Sequence, residues 1–173
     1  MDMLDLVSWD SACGMELEMI PLIRLAEKSD LDVIAENVMA MALENCGIEL
    51  AAENVAQAVR TLFEKPELGF YVVAESDHEV VGSLLVTFEW SDWRNGVYWW
   101  LQSVYVRPGH RRKGIYRRLY GYIREKAASD PQIVGLSLYV YKENEVARRA
   151  YEWLGMRESN SLIYYAPELK RGS

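Results

Sequence analysis

The segment that most restricts the fold is a strand-like run followed directly by a basic, glycine-marked helix start. Residues 97–106 are almost all apolar or aromatic, which predicts a β-strand covered on both faces. Six lysine and arginine residues then fall between Arg107 and Arg118, with no acidic residue among them. Apolar residues after Gly114 recur at helical spacing. The sequence therefore predicts a strand, a short basic connection and an amphipathic helix, in that order.

This junction has the properties of an anion-binding site. The first turn of a helix carries free backbone N–H groups and the positive end of the helix dipole. Gly114 lets a ligand approach the backbone closely, and Arg111, Arg112 and Lys113 add positive charge. Because the whole chain has a net charge of -7, this local basic cluster indicates a specific phosphate ligand rather than an extended polyanion. The common nucleotide-binding motifs G-x-x-x-x-G-K-[ST] and G-x-G-x-x-G are absent.

Length and composition indicate one ordinary globular domain. A chain of 173 residues buries roughly 70% of its unfolded surface, so its core needs neither metal nor disulfide. Cys13 and Cys46 stand in no metal-binding or redox motif, and we expect reduced thiols and no metal site. No apolar run approaches the ~18 residues of a membrane span, and the N-terminus lacks a basic signal region. We therefore expect a cytoplasmic protein without nucleic-acid or membrane partners.

The remaining periodicity predicts the order β-α-α-β-β-β-α-β-α-β. The predicted strands cover residues 20–26, 70–74, 80–89, 97–106, 133–140 and 161–166, with one further short strand near Met156. Four helices begin near Ser29, Ala51, Gly114 and Asn144. This is an α/β domain with a mixed sheet of about six to seven strands. We assign residues 1–17 to a peripheral extension, 18–168 to the domain and 169–173 to a polar tail.

Two motifs on these elements resemble the GNAT superfamily of acyl-CoA-dependent N-acyltransferases. The family's Gln/Arg-x-x-Gly-x-Gly/Ala signature, at the start of a helix after a strand, corresponds to Arg111-Arg-Lys-Gly114-Ile-Tyr116. Its second element, an Asn that opens the next helix and a Tyr seven residues later, corresponds to Asn144 and Tyr151. The resemblance covers roughly residues 19–165. Tyr116 is a departure, because it stands where the family usually has a small residue.

The resemblance implies acetyl-CoA as cosubstrate and a single-domain fold with a mostly antiparallel sheet. The sheet would splay apart between residues 97–106 and 133–140. The pantetheine arm would lie along Val104, Tyr105 and Val106. The pyrophosphate would bind the backbone amides of Arg111, Arg112, Lys113, Gly114, Ile115 and Tyr116. Asn144 is a further candidate cofactor contact, although a role as helix N-cap explains it equally well.

The resemblance also implies that a primary amine attacks the thioester directly, in a ternary complex. Tyr151 would be the general acid for the leaving thiolate. Some family members place a carboxylate on the strand before the phosphate loop, where this chain has Gln102 and no acid. Glu89, on the neighbouring strand, is therefore the candidate general base, with a water relay as the alternative. Trp90, Asp92 and Gln102 are candidate acceptor contacts.

Several readings remain open. Trp93, Trp99 and Trp100 could wall the acceptor pocket with Trp90, or belong to the core. The main rival function is a CoA-binding regulatory or interaction module without turnover. Nucleic-acid binding through the basic helix start is a weaker alternative that predicts strongly salt-dependent affinity. The acceptor could be a small-molecule or peptide amine. The family also makes a homodimer plausible, but no interface is identifiable from the sequence.

Overall fold

The protein, seen in a computed structural model that describes residues 20–164, is built on a five-stranded sheet. The strands are β1 (Leu22–Leu25), β2 (Gly69–Ser76), β3 (Glu79–Ser91), β4 (Gly96–Val106) and β5 (Ile133–Leu138). The helices are α1 (Leu31–Cys46), α2 (Ala52–Glu64), α3 (Ile115–Ala128) and α4 (Glu145–Trp153). The predicted order of elements up to α4 is confirmed. The predicted extension and polar tail lie outside the described residues.

The strands lie in their order along the chain, from β1 to β5. The pairs from β1 to β4 are antiparallel, and only β4 and β5 are parallel. The predicted mixed, mostly antiparallel sheet is therefore confirmed. The number of strands differs, since the sequence predicted six to seven. The predicted strand near Met156 does not form, residues 161–164 lie outside the sheet, and β5 ends at Leu138 rather than at Val140. A strand is stable in a sheet only where its N–H and C=O groups find partners, and none of the five strands pairs with residues 161–164.

Two apolar cores cover the two faces of the sheet. The first joins α1 and α2 to one face and includes Ile34, Val59 and Val73. The second joins α3 to the other face and includes Leu84, Leu119 and Ile123, and residues just after α4 pack against it. Burial on both faces explains the nearly continuous apolar sequence of the central strands. No helix in residues 20–164 is long and apolar enough to cross a membrane.

A bulge and an early end of pairing open a cleft beside β4. In the β3–β4 ladder Leu85 pairs with Gln102 but Ser83 pairs with Tyr105, so β4 carries one extra residue there. Ser103, in this bulge, has φ +46°. The parallel pairing of β4 with β5 runs only as far as Leu101 and Leu138. Residues 102–106 therefore have no strand partner on the β5 side among the described residues, which confirms the predicted splay.

Candidate functional site

The loop between β4 and α3 has an exposed backbone. Gly114 is the N-cap of α3 with φ +75°, and a Cβ added there would meet no atom within 4 Å. Arg118 N–H donates the first bond of the helix to Gly114 O at 3.1 Å. The N–H groups of residues 115–117 therefore have no partner within the helix. An open glycine beside free amides at a helix N-terminus fits an incoming phosphate group.

Arg111 is held by the protein itself. Its Nε donates to Val106 O at 2.8 Å, and its terminal nitrogen pairs with the Glu44 carboxylate at 2.5 Å. The guanidinium also lies over the ring of Tyr105, 5.3 Å from its centroid. The Tyr105 hydroxyl donates to the other oxygen of Glu44 at 2.6 Å. Hydrogen bonds from Tyr105 and Arg111 lower the pKa of Glu44, so this cluster contains a carboxylate at neutral pH.

A second set of contacts ties the loop to α1. Arg107 pairs with Glu36 at 3.1 Å, and its Nε donates to Asn37 Oδ1 at 3.4 Å. The Asn37 amide in turn donates to Ser83 Oγ at 3.2 Å, and both of these side chains are buried. Sequence reasoning missed Glu36, Asn37 and Glu44. The only signal for them was Asn37, a polar residue within the apolar stripe of a predicted helix.

Arg112 and Lys113 complete the loop. Both are exposed, and Arg112 has a left-handed backbone with φ +62°. Ile115 at the first position of α3 is buried and packs into the core on that face of the sheet. The loop therefore presents basic side chains outward while its apolar end is anchored. Among the predicted phosphate-binding residues, Arg111 has a guanidinium that is hydrogen-bonded to Val106 O and paired with Glu44.

Tyr151 lies beside the first turn of α3. Its ring meets the ring of Tyr116 edge to face, with the centroids 5.6 Å apart. Burial raises the pKa of Tyr151, so its phenol keeps its proton at neutral pH. Asn144 caps α4, because its Oδ1 accepts the Ala147 N–H at 3.1 Å. The structure thus brings Tyr151 against Tyr116, which follows Gly114 by two residues.

The strand residues named as cosubstrate contacts lie along the open part of β4. Val104 and Val106 pack towards the α3 side of the sheet, whereas the ring of Tyr105 is buried and its hydroxyl reaches α1. Gln102, at the start of the splay, donates from Nε2 to Thr87 Oγ1 at 2.5 Å. The polar side chain of Gln102 is therefore satisfied within the sheet.

The candidate acceptor residues are dispersed. Glu89 pairs with Tyr98, four residues before Gln102 on β4, so about 13 Å of strand separates it from the start of the splay. Glu89 and Trp90 are neighbours on β3 and therefore project from opposite faces. Asp92 is exposed in the turn that follows. Glu89 is exposed as well.

The tryptophans do not form one wall. Trp93 is 94% exposed, whereas Trp99 is buried against Phe70 and Phe88. Only Trp100 reaches the end of β5, where it stacks on Tyr139 with the centroids 4.2 Å apart.

An aromatic cavity that the sequence did not indicate lies just past β5. It has a volume of about 490 Å³, and its lining includes Tyr139, Val140, Tyr141 and Ile163. Because β5 ends at Leu138, these residues follow the point at which the two strands separate. The cavity therefore follows the splay directly along the chain. In the same residues, no group of three or more His, Cys, Asp or Glu side chains could hold a metal ion.

Comparisons with known proteins agree with this geometry. The model of the acetyltransferase (GNAT) family matches residues 35–156. A possible acetyltransferase from Clostridium difficile 630 shares 40% identity, with a TM-score of 0.82 over 87% of this chain and 99% of that chain. A predicted acetyltransferase with acetyl-CoA from Clostridium acetobutylicum shares 16% identity, with a TM-score of 0.71 over 85% and 96% of the two chains. The ribosomal-protein-alanine N-acetyltransferase of Brucella melitensis biovar Abortus 2308 shares 18%, with a TM-score of 0.69 over 86% and 99%. Among curated proteins, none matches the chain in sequence.

Proposed function

The chain belongs to the acetyltransferase (GNAT) family, and from this premise we propose that it transfers the acetyl group of acetyl-CoA to a primary amine. The amine attacks the thioester directly while both substrates are bound. One observation carries the proposal: the splayed strand leads into an open helix N-terminus, and Tyr151 contacts the first turn of that helix.

The chemistry of the cleft supports acetyl-CoA as the cosubstrate. The free amides after Gly114 and the charges of Arg112 and Lys113 suit a pyrophosphate. Residues 102–106 lack a strand partner on the β5 side, although Val106 O accepts from Arg111, and backbone polar groups that are covered require hydrogen bonds. An amide-containing pantetheine arm would supply such bonds. Asn144 remains a candidate cosubstrate contact through its amide nitrogen, since only its oxygen caps α4.

Proton balance assigns a role to Tyr151. Attack by the amine nitrogen forms the new C–N bond, and the C–S bond then breaks to release a thiolate. The protonated phenol of Tyr151 gives its proton to that sulfur and later regains one from solvent, and the amine nitrogen loses one proton. Glu89 remains the carboxylate candidate for accepting the amine proton. Its distance from Gln102 along the strand means that water molecules would have to relay the proton.

For the acceptor, we propose an amine with a flat or apolar body. The cavity beside Tyr139 and Tyr141 has aromatic walls, and the net charge of -7 attracts cations generally. Trp90 and Asp92 remain proposals for contacts with a larger acceptor such as a peptide. The N-terminal amine of a peptide and a small aromatic amine are both candidates.

The test is release of free thiol from acetyl-CoA in the presence of a library of amines. With an active acceptor, Tyr151→Phe should lower kcat by about 10²-fold, the usual contribution of a general acid. Tyr122→Phe is the control, since its half-buried ring lies on α3 under Lys126. Wild-type turnover by Tyr151→Phe at every pH would remove the general-acid role.

The rival function gives a different result in the same assay. A CoA-binding regulatory module would bind acetyl-CoA tightly by calorimetry but release no thiol with any amine in the library. The absence of an acidic residue on β4 is the observation that favours this rival.

A further inference from the structure

Tyr116 carries a buried hydroxyl that no described residue satisfies. Its ring packs against the core on the α3 side of the sheet, and its oxygen is inaccessible to solvent and lacks a hydrogen-bond partner. A buried hydroxyl without a partner costs free energy of folding, and phenylalanine would fill the same space without that cost. The hydroxyl therefore needs an explanation other than packing.

The surroundings of Tyr116 indicate what the hydroxyl does. The ring of Tyr151 on α4 lies edge-on at 5.6 Å, and the ring of Tyr120 on α3 lies at 6.3 Å. Burial, and then the charges that Tyr151 and Tyr120 would carry, raise the pKa of Tyr116. Tyr116 therefore keeps its proton when a neighbouring phenol loses one. Arg148, three residues before Tyr151, is engaged by Glu158 at 3.2 Å.

We propose that Tyr116 is a positioning residue for Tyr151: its hydroxyl donates a hydrogen bond to the Tyr151 oxygen after that oxygen has given its proton to the thiolate. This inference rests on the proposed function. In the step, the Tyr151 O–H bond breaks and an S–H bond forms, which leaves a phenolate on the half-buried side chain of Tyr151. The O–H of Tyr116 stays intact and stabilises that charge. Solvent later returns a proton to Tyr151.

The edge-to-face contact between the two rings explains why Tyr116, rather than another residue, carries the hydroxyl that donates to Tyr151. Tyr116 is the second residue of α3, so its backbone belongs to the turn that faces the cleft, while its ring reaches α4. A small residue at this position could neither contact Tyr151 nor donate to it. The departure from the family's usual sequence thus places a proton donor beside the general acid.

The test compares Tyr116→Phe with Tyr120→Phe, which removes a hydroxyl from the same cluster. For Tyr116→Phe we expect kcat to fall about tenfold, as for loss of a hydrogen bond to a charged oxygen. KM for acetyl-CoA should be unchanged. The active form has Tyr151 protonated, so activity falls as pH rises through the pKa of Tyr151. Loss of the donor raises that pKa, and the alkaline limb of the kcat profile should move to higher pH.

A role in packing alone predicts a different pattern. The proposal predicts that Tyr116→Phe, which removes an unsatisfied hydroxyl, has an unchanged or higher melting temperature although its kcat falls. It also predicts that Tyr120→Phe keeps wild-type kcat. Wild-type kcat and pH profile in Tyr116→Phe would overturn the inference, as would equal losses of kcat in both variants. If Tyr151→Phe is impaired and Tyr116→Phe is not, the inference fails alone. If the wild-type protein turns over no amine, the proposed function fails and this inference fails with it.

Discussion

Gly114 allows the phosphate site to be tested by a single methyl group. Gly114 and Gly47 both have left-handed backbones, with φ +75° and φ +65°, and both lie at helix ends. A Cβ added to either would meet no atom within 4 Å. The replacements Gly114→Ala and Gly47→Ala therefore carry the same backbone strain and no steric clash. They differ in the surface onto which the methyl group projects.

The expected changes in melting temperature and in acetyl-CoA affinity follow from the similar backbones of Gly114 and Gly47. A left-handed alanine costs about 1–2 kcal/mol, which lowers the melting temperature of a domain of this size by roughly 2–8 °C. At Gly114 the methyl group also enters the space where a phosphate would approach the amides of α3. Loss of one hydrogen bond to a charged phosphate oxygen is worth roughly 1.5–3 kcal/mol. The Kd of acetyl-CoA should therefore rise about ten- to a hundredfold in Gly114→Ala only.

Calorimetry measures both quantities on the same samples. Differential scanning should give similar melting temperatures for the two variants, and titration with acetyl-CoA should separate them. If Gly114→Ala binds acetyl-CoA as tightly as Gly47→Ala, the helix N-terminus does not hold the pyrophosphate. The assignment of the phosphate site would then be wrong, whatever the activity of the protein.

Two further predictions concern ion pairs. Glu44→Gln removes the charge that holds Arg111. Because this pair is partly exposed, we expect KM for acetyl-CoA in steady-state assays to rise no more than about fivefold, with kcat unchanged. A lower KM would show instead that Glu44 withholds Arg111 from the phosphate. Burial disfavours the charge of Asp30, but hydrogen bonds from Arg24 and Glu27 N–H outweigh this and lower its pKa. The stabilisation is therefore present above the unfolded pKa of about 3.9 and is lost as pH falls through the folded pKa. Urea unfolding should show Asp30→Asn destabilised at pH 7 by about 1–3 kcal/mol and nearly equal to wild type at pH 2; a deficit that persists at pH 2 would contradict this.

The parts of the fold that sequence predicted correctly depend on local chemistry. The strand before Arg107, the glycine that begins α3 and the Asn144 cap each rely on residues within one or two turns of each other. Periodicity and capping preferences act at that range. The order of elements followed from the same local signals, whereas the mostly antiparallel pairing was expected from the resemblance to the family.

The parts that sequence missed depend on register and on distant contacts. The roles of Trp90, Trp93, Trp99 and Trp100 depend on which face of the sheet each residue occupies. That depends in turn on where β3 ends and how β3 pairs with β4. The predicted last strand pairs with no other strand in the described part of the chain. No local signal indicated that Arg111 pairs with Glu44, which lies 67 residues away.

The contacts of α1 provide a test for coupling between the proposed acceptor and acetyl-CoA. Glu36 and Glu44 hold Arg107 and Arg111, so α1 and the loop between β4 and α3 are joined at two points about 12 Å apart along the helix axis. Gly47 ends α1 immediately after this second attachment, and the chain then turns towards α2. A ligand that shifts the end of α1 must therefore move Glu44, and with it the guanidinium that holds the end of β4. Any coupling between acceptor and acetyl-CoA binding should accordingly weaken in Glu44→Gln, measured as the ratio of acetyl-CoA Kd values with and without saturating acceptor. A ratio equal to that of the wild-type protein would show that α1 transmits nothing between the two substrates.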